Sequence, residues 1–273
     1  MKMLYWQAKR AAKKNIKEFF RRLLFLNYQF LPASSIKKQA ITFEFRGQPL
    51  TVEADYTSAL YDNIMEIVDY DCYQLSEINF SKAANGIVMD VGANIGIAAM
   101  VLARAHPGRV VCFEPMPGNC KLVESNARLN GLTNVEVVPA ALTATDGTVE
   151  FLVNPNYSSV GHTADTVKSD PLAFSQKLQV KSLSLPSALA PFGDRPIELI
   201  KLDCEGGEYA IVKQITPSLA ERIRYLSFEV HDLDRQRNVT VMTKRLKALG
   251  YRVVYKHELY KRLGLHHLLA SRP

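Results

Sequence analysis

The chain contains no Cys-x-x-Cys pair, and only four cysteines, Cys72, Cys112, Cys120 and Cys204, occur in 273 residues. Zinc ribbons and disulfide-stapled secreted folds need more sulfur at closer spacing, so both are excluded. Cys112 and Cys204 fall in apolar strand-like runs and read as buried thiols of a reducing compartment. No stretch approaches the roughly 18 uninterrupted apolar residues of a membrane-spanning helix. Arg21-Arg22 ahead of "LLFLNYQFLPASS" echoes a twin-arginine export signal, but Asn27 and Gln29 interrupt an already short apolar run. Internal repeats are absent as well. These absences together point to a cytoplasmic protein.

Charge is also missing from most of the chain. Of the net +7, all is accounted for by residues 1–30, where eight Lys and Arg face Glu18 alone, so residues 31–273 sum to zero. Leu4, Ala8, Ala11, Ala12, Ile16, Phe19, Phe20, Leu23 and Leu24 recur at helical spacing among those charges. The pattern predicts a basic amphipathic helix, which either lies on an anionic membrane surface at the inner face or packs its apolar stripe on protein. No basic patch with interleaved aromatics occurs elsewhere, which argues against nucleic acid as a partner.

What is present is a regular alternation of apolar runs and amphipathic segments. Residues 41–55, "ITFEFRGQPLTVEAD", alternate on both sides of Gly47 and predict a β-hairpin. Short helices are expected through "SALYDNIMEIVDYDCYQLSEINF". From Ile87 onward, "GIVMDVG", "RVVCFEP", "NVEVVPAAL", "TVEFLV", "IELIKLD", "IRYLSFEVH" and "YRVVYK" read as strands, with helical patterns between most of them. That is the signature of an α/β fold with a doubly wound, largely parallel sheet. The expected organisation is a basic helix over 1–30, a cap or lid with a β-hairpin over 31–85, and the main domain over 86–273. Residues 154–176 lack hydrophobic periodicity and read as a substrate-facing loop or a surface insertion.

Ligands of such sheets bind at the carboxyl ends of the strands. The predicted tips carry Asp90, Glu114, Ala141, Asp203 with Glu205, and Glu229 with His231, so acids occupy four of five. The first tip, "DVGANIG", spaces its glycines Gly-x-x-x-Gly rather than in the dinucleotide pattern, and Asp90 would repel a pyrophosphate. S-adenosylmethionine has no phosphate, and its ammonium and sulfonium groups favour nearby carboxylates. Its own carboxylate can meet the amides that open the helix after Gly96. Glu114 suits a ribose with either cofactor, and taken alone Asp90 is explained equally well as a helix cap.

The runs "DVGANIG", "FEPMPGN", "NARLNGLTNV" and "IKLDCEGGEY" resemble the FkbM family of S-adenosylmethionine-dependent methyltransferases over roughly Ile87 to Tyr255. The resemblance implies a class I methyltransferase, Rossmann-like doubly wound sheet, to which this chain adds an N-terminal helix and a β-hairpin/helical cap. It further implies methyl transfer to a hydroxyl oxygen of a sugar, glycan or related small molecule. On that basis Asp90, Gly92, Ala93, Asn94 and Gly96 would wall the methionine end of the cofactor, Glu114 would take the ribose hydroxyls, and Pro115 and Ala141 would lie near the adenine. The chain departs from the family at "KSLSLPS", where Ser184 stands in place of an acid. Asp146-Gly147 matches a family turn.

An alcohol is a poor nucleophile until its proton is accepted, so a general base is expected. Alternation in "LIKLDCEGGEY" puts Lys201 and Asp203 on one side, with Glu205 and Glu208 following. Asp203 and Glu205 are the first candidates for catalysis, and His231 beside Glu229 is the other. Glu208 reads as a helix N-terminal charge, and Lys201 as the ion-pair partner of Asp203 or Glu205. Asp203, Glu205, Glu229 and His231 could ligate a divalent ion, but acids also gather wherever a cationic cofactor binds, and no metal is required. The other histidines, His106, His162, His257, His266 and His267, read as surface or capping residues, with His162 able to face substrate.

Overall fold

The structure, a computed structural model, describes residues 39–54, 60, 63–80, 85–154, 157–163, 176–256 and 264–272. The basic helix predicted over 1–30 lies outside the described residues, as do His257 and residues 164–175. Among the described residues no helix is long and apolar enough to cross a membrane.

Strands β1 (Gln39–Phe45) and β2 (Gln48–Ala54) form the predicted hairpin. Its turn, Arg46-Gly47, has φ of 50° and 74°, the double left-handed geometry that matches the twist of paired strands. A π-helical turn (Met65–Asp69) and a 3-10 turn (Leu75–Glu77) follow. The Arg46 guanidinium ties hairpin to turn by donating to the carbonyls of Leu75, Ser76 and Ile78 at 3.3, 2.9 and 3.1 Å.

The main sheet has seven strands. Five are parallel: β3 (Ile87–Val91), β4 (Arg109–Phe113), β5 (Val135–Val138), β10 (Ile197–Leu202) and β11 (Ile223–His231). Two antiparallel strands, β12 (Arg252–Tyr255) and β13 (Leu265–Ser271), complete one edge, giving the order β12-β13-β11-β10-β3-β4-β5. All residues of β3 and β10 are buried, as expected of central strands covered on both faces. Alternate side chains feed two cores. Val88, Val110 and Leu199 pack with the hairpin and with helix α1 (Ile97–Ala105). Ile87, Met89, Val111 and Leu202 pack on the opposite face with α3 (Leu185–Leu189), α4 (Glu208–Lys213) and α6 (Val239–Ala248).

Helix α2 (Pro117–Leu129) starts with proline at its first position, where the missing N–H costs nothing. Asn126 near its end and Asn130 just past it then act as a surrogate strand for the open edge of β2. Their amides exchange hydrogen bonds with the backbone N–H and C=O of Glu53 (2.7 and 3.1 Å) and Thr51 (2.8 and 2.6 Å).

Several expectations need correction. "TVEFLV" does not join the main sheet. It forms β7 (Gly147–Asn154) of a separate four-stranded sheet with β6 (Ala141–Leu142), β8 (Tyr157–Thr163) and β9 (Gln176–Leu183), in the order β6-β9-β7-β8. Residues 157–163, expected as loop, are thus a strand paired antiparallel to β7; its small polar residues hide the period that would have revealed it. Cys204 lies beyond the end of β10 rather than within it, although all four cysteines are free. His106 caps α1 as expected but is buried, with Nε2 3.2 Å from the Gly86 carbonyl. His267 is a buried β13 residue, because its strand forms the sheet's second-last position under the cap.

Ser184 has its own explanation. Its hydroxyl caps α3, while the Asp146 carboxylate accepts from the Ser184 N–H (2.7 Å) and the Ser187 hydroxyl (2.6 Å). An acid from the neighbouring turn therefore braces the segment where the family pattern carries its own, and these donors hold the Asp146 carboxyl below the usual range.

Candidate active site

The tips of β3 and β10 are locked together by backbone. Asp203 N–H donates to the Val91 carbonyl at 3.1 Å, and Gly92 and Ala93 N–H both donate to Phe113 O, at 3.0 and 3.2 Å. Gly92 has φ +75°, and a Cβ there would stand 1.8 Å from the Asp203 carbonyl oxygen, so only glycine lets the two loops cross. Gly96 heads α1 at φ +90° against Val123 of α2. Both glycines of the motif therefore serve backbone approach.

A cavity of about 1230 Å3 opens above these tips. That exceeds the roughly 300–1,000 Å3 typical of a single drug-sized ligand, leaving volume for a cofactor and an acceptor together. Its lining includes Gly92, Asn94, Glu114, Pro115 and Ala141, the acids Asp203, Glu205, Glu229 and Glu66 of the cap, and the bases Lys213, Arg237 and Arg245. The inserted sheet supplies Thr148, Phe151 and Ser182 as an outer wall. Of the residues singled out on sequence, Asp90, Ala93, Gly96 and His231 do not line the cavity; they sit directly behind its wall.

Asp90 is sealed from solvent with its Oδ1 3.1 Å from Lys201 Nζ, itself 2% exposed. Lys201 also stands 3.5 Å from Asp203 Oδ2 and 4.8 Å from the centre of the Tyr73 ring. Its expected partner Glu205 is engaged elsewhere. Burial opposes the Lys201 charge, but Asp90 and Asp203 outweigh it and hold the ammonium protonated. For Asp90 burial wins, raising its pKa despite Lys201. Asp203 shows the reverse balance. Burial works against its charge, yet Lys201 and a 2.6 Å hydrogen bond from the Tyr73 hydroxyl keep its carboxyl below the ordinary value.

Tyr73 was not foreseen. It comes from the cap 130 positions away, is buried, and its hydroxyl also lies 3.5 Å from Glu229 Oε2. No local pattern distinguishes it from a core tyrosine. Glu229 beside it is pushed well above its usual pKa by burial and by the charges of Asp203 and Glu66.

Glu205 has a left-handed backbone, φ 54°, and its Oε2 lies 3.1 Å from His231 Nε2. The other imidazole nitrogen is 3.4 Å from Glu208 Oε1, which also accepts the Cys204 and Gly206 N–H groups at 3.1 Å. Burial disfavours charge on His231, but the two glutamates reverse that and raise its pKa to about 12.

Glu114 accepts from the amides of Asn94 (2.8 Å) and Met116 (2.9 Å) and from the Asn119 side chain (3.3 Å). Burial nevertheless lifts its pKa to about 7. A carboxylate offers about four lone-pair sites. Its Oε2, with one protein donor, keeps acceptor capacity toward the cavity.

Comparison with known proteins identifies the family. Residues 90–253 match the family model described as the methyltransferase FkbM domain. Methyltransferase sdnD of Sordaria araneosa is 23% identical over 190 residues, covering 60% of this chain and 72% of that protein. The 31-O-demethyl-FK506 methyltransferase FkbM of Streptomyces tacrolimicus is 26% identical over 211 residues, covering 68% and 80%. The solved methyltransferase FkbM from Methylobacillus flagellatus KT aligns with a TM-score of 0.49 at 17% identity; 73% of this chain is covered, which spans less than half, 46%, of that structure.

Proposed function

The chain belongs to the FkbM methyltransferase family, and from that premise we propose that it transfers a methyl group from S-adenosylmethionine to a hydroxyl oxygen of a sugar, glycan or related small molecule. The observation that carries this reading is the Asp203 carboxylate, 2.6 Å from the Tyr73 hydroxyl and 3.5 Å from Lys201 Nζ, on a cavity that Glu114 also lines. When bound, S-adenosylmethionine supplies an activated methyl group on a cationic sulfur. The donor set suits it: the cavity is lined by Glu66, Glu114, Asp203, Glu205 and Glu229 against Lys213, Arg237 and Arg245, so acids outnumber bases. Glu114 would take a ribose hydroxyl on Oε2, and Gly92, Asn94 and Glu205 would hold the methionine part, with Asp90 supporting the loop from behind through Lys201. Pro115 and Ala141 would border the adenine.

Asp203 accepts the proton of the acceptor hydroxyl. Lys201 and Tyr73 fix the orientation of its carboxylate, and Glu229 stands beside it. His231, protonated between Glu205 and Glu208, has no lone pair to offer at neutral pH and acts as the cation that holds the Glu205 loop in place. The cap over 31–85 then contributes to catalysis by delivering Tyr73. Oxygen as the target is supported by the name of the Streptomyces relative, a 31-O-demethyl-FK506 methyltransferase. A small acceptor, not nucleic acid, is supported by the zero net charge of residues 31–273.

The test is transfer of isotope-labelled methyl from S-adenosylmethionine onto a panel of sugars and small alcohols, with product analysis for a new methyl ether. Label on nitrogen or carbon, or none on any acceptor while the cofactor binds, contradicts the reading. Thermal stabilisation by S-adenosylhomocysteine and none by NAD is expected as well.

Two further outcomes are expected. Because Glu114 is protonated below about pH 7, a ribose hydroxyl loses its acceptor there. Affinity for S-adenosylhomocysteine should therefore rise between pH 6 and 8, and Glu114→Gln should flatten the profile at the low plateau. Calorimetry across that range decides it; a flat wild-type profile removes Glu114 from the ribose role. Second, the basic segment should bind anionic lipid. Deleting residues 1–30 should abolish co-sedimentation with phosphatidylserine-containing vesicles and leave cofactor affinity unchanged, whereas retained sedimentation ends the membrane reading.

A further inference from the structure

Beneath the acids of the cavity lies a second cluster. Glu66 in the π-helical turn, Cys72 in the turn after it and His267 on β13 each present one donor atom, all within 4.8 Å of one another. His267 Nε2 stands 3.7 Å from Glu66 Oε1. In a tetrahedral site with bonds of about 2.0–2.3 Å, neighbouring donors stand about 3.3–3.8 Å apart, and this separation falls in that interval. Glu229 on β11 lies outside the group, with its Oε1 3.6 Å from the same imidazole nitrogen.

The chemistry of the set is as informative as its spacing. A thiol, an imidazole and a carboxylate are ligands for zinc-like ions, whereas calcium and magnesium take oxygen. Cys72 and His267 are each 4% exposed, so the donors do not owe their proximity to a crowded surface. Glu229 links the group to the proposed base, since its Oε1 faces His267 and its Oε2 faces the Tyr73 hydroxyl.

We propose that Glu66, Cys72 and His267 bind one divalent transition-metal ion of the zinc type, which pins the cap segment to the edge of the main sheet. The Cys72 thiol proton passes to solvent as the sulfur–metal bond forms. Cys72 adjoins Tyr73, whose hydroxyl orients Asp203, so the ion fixes the cap residue nearest the proposed base. The site shares no residue with the Asp203, Glu205, Glu229 and His231 set at the strand tips, and it goes beyond the methyl-transfer reading.

The experiment is Co2+ titration of the full chain after removal of metal by a chelator, followed by absorption spectroscopy. One equivalent of Co2+ is expected, with a thiolate-to-cobalt charge-transfer band and the intense ligand-field bands of tetrahedral cobalt. Cys72→Ala should abolish the charge-transfer band, and Cys120→Ala should keep it. His267→Gln should weaken Co2+ binding by at least about 100-fold, the upper end of what losing a mere second-shell partner costs. Sub-stoichiometric binding, a wild-type spectrum without the thiolate band, or a band that survives Cys72→Ala overturns the proposal. The wild-type spectrum decides even where a variant fails to fold. S-adenosylhomocysteine binding, measured on the same preparation, reports on the methyl-transfer site separately, so either reading can fail alone.

Discussion

Replacing Lys201 by Met is expected to destabilise the protein by about 3–5 kcal/mol, the usual consequence of leaving one member of a buried ion pair without its partner. Asp90 has no exposure to solvent and its counter-charge is 3.1 Å away at Lys201 Nζ. Burial already raises the Asp90 pKa, and without the ammonium it rises further. The sign of the pH dependence follows. A carboxyl whose pKa is higher in the folded than in the unfolded state favours folding when protonated, and that advantage is lost as pH rises through the folded value. The deficit of the Lys201→Met variant should thus be larger at pH 8 than at pH 5.5 in chemical denaturation. An Asp90→Val, Lys201→Met double variant should recover most of it, since well-packed apolar replacements of buried pairs are often neutral. A loss below about 1 kcal/mol that does not vary with pH would mean that the pair is not coupled as its geometry indicates.

The other large effect is expected at Asp203. Changing it to Asn preserves shape and most of the contacts with Lys201 and Tyr73 but removes the proton acceptor, so turnover should fall by about 10²–10⁴. Affinity for S-adenosylhomocysteine should stay close to wild type, because the ribose and methionine contacts lie with other residues. The Asp203 pKa is lowered in the folded protein, so the wild-type carboxylate is ionised throughout the neutral range. Raising the pH should therefore not rescue the variant. Labelled methyl transfer to the acceptor found in the panel gives the rate; a variant with wild-type turnover would move the base to another group.

Much of the molecule was readable from local pattern. The hairpin at 39–54, the strand tips at Asp90, Glu114, Asp203 and Glu229, and the order of strand and helix all follow from apolar period and turn chemistry within windows of a dozen residues. The glycine-lined turn was found for the same reason, though its glycines prove to serve the crossing of β3 and β10 loops. Harder to read was anything set by pairing between distant segments. The β7–β8 pair hides in a polar stretch, and Lys201 could be matched with a nearby acid by spacing but not with Asp90, its neighbour in register on β3.

The sequence by itself determined which residue types stand at the ends of the central strands, because strand alternation and the apolar core dictate which positions reach the tips. It also determined where the net charge lies. Only the tertiary structure decided which of those groups carry a proton, which are sealed behind the cavity wall, and which far segments complete the site. Protonation depends on burial and on charges a few ångströms away, and those neighbours are brought together by β10 beside β3 and by the cap beside β11. Tyr73 meets Asp203, and His267 meets Glu66 and Glu229, through folding alone.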